Sequence, residues 1–299
     1  MSEIIIIGAA IIDILVRPAS AAVFETGSYA AEDIRMALGA DALNEAIILS
    51  KMGKKVRLET IIGDDSAGRF IIRQCRKSKV ILEERQIRKD IPTGINVVLV
   101  GEDGERSFLT NPAGSLRKLT IKDIRMPFDN DAKILCFASI FVFPELRTKQ
   151  LVRIFSQAKD QGITVCADLT KCKNEETVFD MAEVFSYIDY LFANEEEASL
   201  LTGEKDRVKA AAALLLSGAK HVIVKCGRDG CLVKTAVEEY MVPARKDAVC
   251  IDTTGAGDSF AAGFIYALSE GKNLEQCAQF ANECGAKAVG VLGATEWIL

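Results

Sequence analysis

Short runs rich in Val and Ile alternate with helical patterns along most of this chain. Such alternation is typical of βαβ units, in which helices join buried parallel strands. The strand candidates are residues 4–7, 56–61, 133–138, 164–167, 190–193 and 221–226. The helix candidates are residues 42–52, 67–78, 144–161 and 206–217. The pattern predicts an α/β fold with a mostly parallel central sheet flanked by helices.

Two segments interrupt this alternation. Residues 14–37 are short and strand-like, and INVVLVGEDGERSFLT, residues 95–110, alternates around the turn signal Asp103-Gly104, which predicts a β-hairpin. Each segment follows one that should end at the carboxyl edge of the sheet, where open α/β folds bind ligands. We therefore expect a single domain, residues 1–299, in which insertions at about 14–37 and 92–110 form a small β lid.

Composition argues against several classes of protein. The 299 residues carry 37 Lys and Arg against 42 Asp and Glu, a net charge of −5, without a basic cluster interleaved with aromatics, so nucleic acid is not an expected partner. The apolar N-terminal run contains Glu3 and ends at Asp13, which fits neither a signal peptide nor a membrane span. Nine cysteines without a C-x-x-C pair are expected to be reduced and buried in a cytoplasmic protein. The single histidine, His221, is too few for a His-based zinc cluster.

The stretch DTTGAGDSFAAGF, residues 252–264, combines a glycine-rich loop with the start of a helical pattern. Its glycines let the backbone turn sharply, and the helix that follows would present unpaired amides at residues 255–258, a site for an anion such as phosphate. A carboxylate does not help to bind an anion, so Asp258 is expected to accept a proton from an attacking hydroxyl. A helix capped by Thr254 or Asp258 is the structural alternative.

The same stretch closely resembles the C-terminal signature of the ribokinase/PfkB family of carbohydrate kinases. The resemblance implies a ribokinase-like fold and ATP-dependent transfer of the γ-phosphoryl group to a sugar hydroxyl. It also implies that Asp258 is the catalytic base and that the loop of Gly255, Ala256 and Gly257 stabilises the transferred group.

The family's sugar-binding segments match near the N-terminus. Asp13 follows the first strand, and GADALNEA, residues 39–46, resembles the pattern G-G-x-x-x-N. Gly39 and Asn44 match that pattern, whereas Ala40 replaces its second glycine. Asp41 departs from ribokinase itself and is expected to accept hydrogen bonds from sugar hydroxyls. The alternatives are a turn former at Asp13 and a plain helix N-cap at Asp41.

The resemblance assigns six residues to the nucleotide side: Asn194, Glu197, Lys225, Gly227, Gly230 and Asn282. Asn194 and Glu197 form the N-x-x-E pattern that organises Mg²⁺ and its waters around the ATP phosphates. Lys225 is a candidate phosphate contact, and Asn282 stands where relatives line the adenine slot. The alternatives are an acidic helix start, a hairpin with a solvated lysine, and a polar residue on an apolar helix.

Many members of the family also bind a monovalent cation, and the matching region here, a candidate K⁺ site, contains Asp252, Thr254, Ala288 and Gly293. The predicted substrate is a small neutral sugar. A nucleoside kinase that stacks a base on Phe137, Phe141 or Phe143 is the alternative within the family, and a non-catalytic sugar- or nucleotide-binding protein is the alternative outside it. Dinucleotide and P-loop fingerprints are absent. The lid is also a candidate surface for a homodimer.

Overall fold

A computed structural model describes residues 2–101 and 106–298. Its strands are β1 Ile4–Ile7, β2 Ile11–Arg17, β3 Asp33–Gly39, β4 Val56–Glu59, β5 Ile62–Gly63, β6 Ile87–Arg88, β7 Gly94–Val100, β8 Arg106–Thr110, β9 Ile134–Ile140, β10 Thr164–Leu169, β11 Tyr190–Asn194, β12 His221–Lys225, β13 Cys231–Lys234 and β14 Glu239–Val242. Its α-helices are α1 Ala22–Thr26, α2 Asp41–Lys51, α3 Ser66–Ser78, α4 Thr148–Asp160, α5 Val178–Phe185, α6 Glu195–Thr202, α7 Arg207–Leu216, α8 Ala256–Ser269 and α9 Leu274–Ala288.

Eight strands form the main sheet, in the order β14-β13-β12-β11-β10-β9-β1-β4. The six strands from β12 to β4 in this order are parallel, whereas β12, β13 and β14 pair antiparallel. The predicted mostly parallel sheet flanked by helices is therefore confirmed. The predicted helix over 144–161 begins later, at Thr148, and the predicted strand over 56–61 ends at Glu59.

The first strand shows why these runs are continuously apolar. Ile5 and Ile7 belong to the core on one face of the sheet, and Ile4 and Ile6 to the core on the other. Successive side chains of a strand point to opposite faces, and a parallel sheet is covered on both, so both sets must be apolar.

The two segments predicted to form a lid contribute to a second sheet of four strands, in the order β3-β2-β7-β8. Strands β7 and β8 pair antiparallel, as a hairpin requires, and the predicted turn at Asp103-Gly104 lies outside the described residues. Met36, Ile14, Val97 and Leu109 are register partners in one row across all four strands. Ile34, two residues before Met36 on β3, is 66% exposed, so this sheet presents an apolar face to solvent.

The edge strand β4 is covered by a network of buried charges. Arg57, only 1% exposed, forms ion pairs with Glu59 and Asp129, at 2.8 Å in each case. The second carboxylate oxygen of Glu59 accepts a bond from Arg85 at 2.5 Å. Because Arg85 lies outside the main sheet, the network holds the following part of the chain against this edge.

The cysteines and the single histidine have the environments of structural residues. Seven cysteines are buried, but Cys172 is half-buried and Cys250 is exposed, so the prediction of buried cysteines is wrong for Cys250. His221 bonds the Asp189 carbonyl through Nδ1 at 2.8 Å and stacks on Tyr190. Among the helices of residues 2–101 and 106–298, none is long and apolar enough to cross a membrane.

Candidate active site

A hydrogen bond between two distant parts of the sequence defines the centre of the site. Asn44 on α2 donates from Nδ2 to Oδ2 of Asp258 on α8 at 2.7 Å, and the two residues are 214 positions apart. The pair forms because α2 and α8 pack against each other, through residues such as Ala46, Ile47, Ala261 and Ala262 in one core. The candidate sugar ligand and the candidate base are therefore direct neighbours.

The loop before α8 has the geometry expected of an anion site. Gly255 has φ +70°, and a Cβ there would lie 2.5 Å from the Cβ of Ala294, so only glycine fits both the conformation and the space. Within the described part of the chain, the amides of Gly255, Gly257 and Asp258 have no protein acceptor. The prediction of an unpaired amide is wrong for Ala256, which donates to the Thr253 carbonyl at 3.3 Å.

Asp258 lies in the first turn of α8, half-buried. The pKa of this carboxyl is raised to about 8, because the effects of burial and of the Asp41 charge outweigh those of the Asn44 bond and Lys225, which lower it. A carboxylate that is this poorly solvated, next to unpaired amides, is well suited to take up a proton during phosphoryl transfer. The alternative that Asp258 serves as the helix cap fails, because the residue preceding the helix is Gly255.

Asp41 is the first residue of α2 rather than its cap. The N-cap position belongs to Ala40, and the Asp41 carboxylate accepts a bond from Ser139 Oγ at 2.5 Å. Ser139 is near the carboxyl end of β9 and was not singled out from the sequence. The N-cap interpretation of Asp41 is therefore wrong, and its second oxygen has no hydrogen-bond partner among the described residues.

Ala40 occupies a backbone conformation that an L-residue rarely adopts. Its φ is +73° and its ψ is +145°, where glycine is the usual residue and other side chains meet a steric cost of about 1–3 kcal/mol. This is the position where the family pattern has its second glycine. The bend it makes turns the chain from β3 into α2, and so aims Asp41 and Asn44 at the site.

We expect Ala40→Gly to raise the free energy of unfolding by about 1 kcal/mol, because relief of strain outweighs the greater freedom of the unfolded chain. Urea unfolding followed by circular dichroism measures the change. Ala213→Gly, within α7, is the matched control and should lower stability by about 1 kcal/mol. A loss of stability in both variants would contradict the strain at residue 40.

Asp13 lies on β2 of the second sheet, beside two residues that the sequence did not reveal. Asn96 donates to Asp13 Oδ1 at 3.2 Å and accepts from Thr110 Oγ1 at 2.7 Å. A Cβ on Gly39 would lie 2.6 Å from the Asp13 carboxylate, which is why residue 39 has no side chain. Burial raises the pKa of Asp13 to about 6. Asp13 thus makes a side-chain bond within the sheet that a simple turn former would not need.

Lys225, close to Gly257 of the loop, makes a bidentate ion pair with Asp168. The Nζ–oxygen distances are 2.8 and 2.6 Å, and a Cβ on Gly257 would lie 3.7 Å from this Nζ. Burial raises the pKa of Asp168 to about 7, with Lys225 lowering it. Burial lowers the pKa of Lys225, but Asp168 and Glu197 outweigh that effect and leave it above its ordinary value. The alternative of a solvated lysine is wrong.

Sequence comparison identifies the family to which this geometry belongs. Residues 1–298 match the family model described as pfkB family carbohydrate kinase. The chain belongs to the PfkB family of carbohydrate kinases. Members transfer a phosphoryl group from ATP to a hydroxyl of a sugar, and this chain is such a phosphotransferase.

Individual relatives of this PfkB kinase agree with that assignment. An ATP-dependent ribose-1-phosphate kinase of Halopiger xanaduensis is 30% identical over 87% of this chain and 83% of its own. A probable fructokinase-5 of Arabidopsis thaliana is 27% identical over 86% of this chain and 83% of its own. The crystal structure of a ribokinase from Thermotoga maritima superimposes with a TM-score of 0.81 at 29% identity, covering 100% of this chain and 96% of that one. The structure of an Arabidopsis thaliana ribokinase complexed with ribose and ATP gives 0.81 at 25% identity, covering 99% and 95%.

In this PfkB kinase the N-x-x-E residues cap a helix. Asn194 Oδ1 accepts from the Glu197 amide at 2.8 Å, and Glu197 Oε2 accepts from the Asn194 amide at 2.7 Å. The remaining Glu197 oxygen is available to bond a water, and burial raises the pKa of this carboxyl. These residues fit a Mg²⁺ ion that keeps its waters and is bound mainly by phosphates, because such an ion needs few protein ligands.

Of the other candidate nucleotide residues, two glycines lie next to Lys225, whereas the amide nitrogen of Asn282 is used within the protein. Gly227 and Gly230, with φ +56° and +100°, turn the chain between β12 and β13 beside Lys225. Asn282, on α9, is buried and donates to the carbonyls of Val242 and Pro243 at 2.9 and 3.3 Å. Its amide nitrogen therefore links α9 to the end of β14 and is not free to bind adenine. For this atom, the alternative of a polar helix residue with a structural role is correct.

The region that resembles a monovalent-cation site does not fit an added cation at its carboxylate. Thr254 donates to Asp252 Oδ1 from its amide at 2.9 Å and from its hydroxyl at 2.6 Å, and Gly293 donates to Oδ2 at 3.0 Å. Arg106 of β8 also binds Oδ1. The fourth candidate, Ala288, is buried in the last turn of α9, and its carbonyl accepts from Val291 at 3.3 Å. We therefore derive no step that involves potassium.

Proposed function

We propose that this enzyme phosphorylates a small neutral sugar, with Asp258 as the base. The observation that carries the proposal is the hydrogen bond between Asn44 and Asp258, because it places the predicted sugar ligand next to the predicted base. A hydroxyl held by Asn44 is then within reach of the Asp258 carboxylate. Proton transfer and attack on phosphorus can occur without a change in the position of either residue.

The proposed reaction is an in-line displacement. The sugar oxygen forms a bond to the γ-phosphorus, the bond to the β-phosphate oxygen breaks, and Asp258 takes the hydroxyl proton. The free amides of Gly255, Gly257 and Asp258 and the Lys225 ammonium stabilise negative charge on the transferred group. Mg²⁺ held through water by Glu197 would neutralise charge on the ATP phosphates. We also propose that the second sheet closes over the sugar and excludes water.

Negative charge on the side of the site that would bind the sugar supports a neutral substrate. Asp41 and Asp13 both lie there, and an anionic group beside these carboxylates would be repelled. The Halopiger relative is named for a sugar phosphate, so ribose 1-phosphate is the most useful competitor to test. The deciding experiment measures substrate-dependent ADP release with neutral sugars, polyols, sugar acids, nucleosides and ribose 1-phosphate. Preferential turnover of ribose 1-phosphate would overturn the neutral-substrate proposal.

Asp41→Ala should raise KM for the best neutral sugar about tenfold or more while leaving KM for ATP unchanged. The reason is that a charge-assisted hydrogen bond to a hydroxyl contributes about 1.5–3 kcal/mol. Asp33→Ala, at the start of β3 with a side chain that is 46% exposed, is the control and should leave both constants unchanged. If the sugar KM of Asp41→Ala matched that of the parent enzyme, Asp41 would have no role in recognition.

The alternatives have less support. Phe137 and Phe143 are 1% and 3% exposed and pack edge to face in the core, so only the half-buried Phe141 of the three candidates remains for stacking a nucleoside base. A non-catalytic binding protein would not require the poorly solvated carboxylate of Asp258 beside an anion loop. Since the reaction consumes ATP, we also propose that the enzyme acts in the cytoplasm.

We also propose a homodimer that pairs the apolar faces of two second sheets. Ile34 and Met36 are 66% and 49% exposed there, and apolar side chains in a continuous row favour burial against a matching surface. Light scattering should give twice the monomer mass for the parent protein and the monomer mass for Ile34→Glu. Ile34→Val is the control, and a monomeric parent protein would refute the dimer.

A further inference from the structure

We propose that the Arg106 guanidinium holds the place that a monovalent cation would take at Asp252, so that the second sheet, not potassium, positions the anion loop. This inference rests on the proposed function of the loop as the phosphate site. It gives Arg106 a positioning role in the reaction that its place on a strand of the second sheet does not suggest.

The contacts of Arg106 join two parts of the enzyme. Its Nη2 atom binds Asp252 Oδ1 and lies 3.4 Å from Thr253 Oγ1, both in the segment that leads into the loop. Arg106 is the first residue of β8, which pairs with β7 through Thr110 and Asn96. Asn96 in turn bonds Asp13 on the sugar side. Contacts within the second sheet therefore connect Asp13 on the sugar side, through Asn96 and strand β8, to the segment that leads into the anion loop.

The hydrogen bonds of Asp252 fall mainly on one carboxylate oxygen, Oδ1, which has three donors. A carboxylate has roughly four lone-pair sites. Here the donors are Arg106 Nη2, the amide and hydroxyl of Thr254, and the amide of Gly293. Gly293 bonds Oδ2 and the other three donors bond Oδ1, so a potassium ion could bind Oδ1 only by displacing Arg106 or a Thr254 donor. Displacing a Thr254 or Gly293 donor would disturb the loop itself, whereas displacing Arg106 would not.

The negative charge of Asp252 also indicates that Arg106 and potassium would replace each other at this carboxylate. The Asp252 side chain is only 9% exposed, and Arg106 is the cationic side chain that forms an ion pair with it among the described residues. A buried carboxylate without a positive neighbour is unfavourable, so loss of Arg106 creates a demand for another cation. Potassium and Arg106 are then alternatives at one carboxylate, and each would keep the loop in place.

The test compares activity in potassium, sodium and choline chloride at matched ionic strength, with the best sugar from the substrate screen. The parent enzyme should have the same kcat in all three salts within about twofold. Arg106→Gln should lose about ten- to a hundredfold in choline, because a displaced phosphate loop misaligns the reacting groups. Potassium should restore a large part of that loss. Arg35→Gln, which removes an arginine paired with Asp33 on β3, is the matched control and should behave as the parent.

A second measurement does not depend on turnover. Potassium, compared with choline, should raise the melting temperature of Arg106→Gln and leave that of the parent protein unchanged. If Arg106→Gln does not fold, Arg106→Lys, which keeps the charge, is measured in the same way and should remain independent of potassium. Strong potassium activation of the parent, or an Arg106→Gln defect that potassium leaves unchanged in both measurements, would refute the inference. If no sugar is phosphorylated, the proposed function fails, while the melting experiment still decides the cation exchange.

Discussion

Asp258→Asn should lower kcat by about 10²–10⁴-fold with little change in KM for ATP. This is the usual contribution of a positioned general base, and the substituted amide cannot accept the hydroxyl proton. Steady-state ADP release with the best sugar measures the loss. Asp180→Asn, another aspartate in the first turn of a helix, is the matched control and should retain full activity. An unchanged kcat for Asp258→Asn would remove the base from the mechanism.

The pH dependence of the parent enzyme tests the same carboxyl. Burial raises the pKa of Asp258 to about 8, and only the deprotonated form can take a proton. We therefore expect kcat/KM to rise with pH up to about 8 and then level off. The raised pKa also means that stability from the neutral acid is present at low pH and is lost as the pH rises through about 8. Asp258→Asn should thus melt at or above the parent temperature at alkaline pH, which separates lost chemistry from lost folding.

Arg57→Leu should have the largest effect on stability, lowering the free energy of unfolding by about 3–5 kcal/mol. Removing Arg57 leaves Glu59, which is fully buried, without the positive charge that pairs with its Oε1 atom. Chemical denaturation measures the change. Arg245→Leu breaks an exposed ion pair with Asp247 and should change stability by less than about 1 kcal/mol.

A double variant distinguishes loss of the ion pair from loss of packing. Arg57→Leu combined with Glu59→Leu removes the uncompensated charge and should recover part of the lost stability, because apolar pairs often replace buried ion pairs without cost. A double variant that is less stable than Arg57→Leu alone would show that the wider network, including Asp129 and Arg85, outweighs this pair.

Much of the fold follows from sequence periodicity, because strands buried on both faces must be apolar throughout. The β1 run Ile4–Ile7 was identified to the residue. Periodicity did not find β13 and β14, because each has only four residues and the edge strand β14 begins with the exposed Glu239. It also missed the helix α1, whose five residues are too few for a helical repeat.

The site was harder to predict from the sequence than the fold, because its residues come from the ends of separate strands. The glycine loop and Asp258 share one local pattern and were identified together. Asp168, Ser139 and Asn96 stand in runs that otherwise look like strand or lid, and only the folded sheets bring them near Lys225, Asp41 and Asp13. The nearest available signal was a polar residue at the end of an apolar run, which Asp168 shows after the strand predicted at 164–167.

The bond between Asn44 and Asp258 also has a consequence for a chain that is still being made. Synthesis delivers Asn44 early and Asp258 214 residues later, so a nascent or truncated chain that ends before α8 lacks the proposed base, which is also the hydrogen-bond partner of Asn44, and most of the proposed anion loop. The helix α2 also lacks α8, against which it packs. Incomplete copies of this kinase are therefore expected not to consume ATP until the last helices have been made.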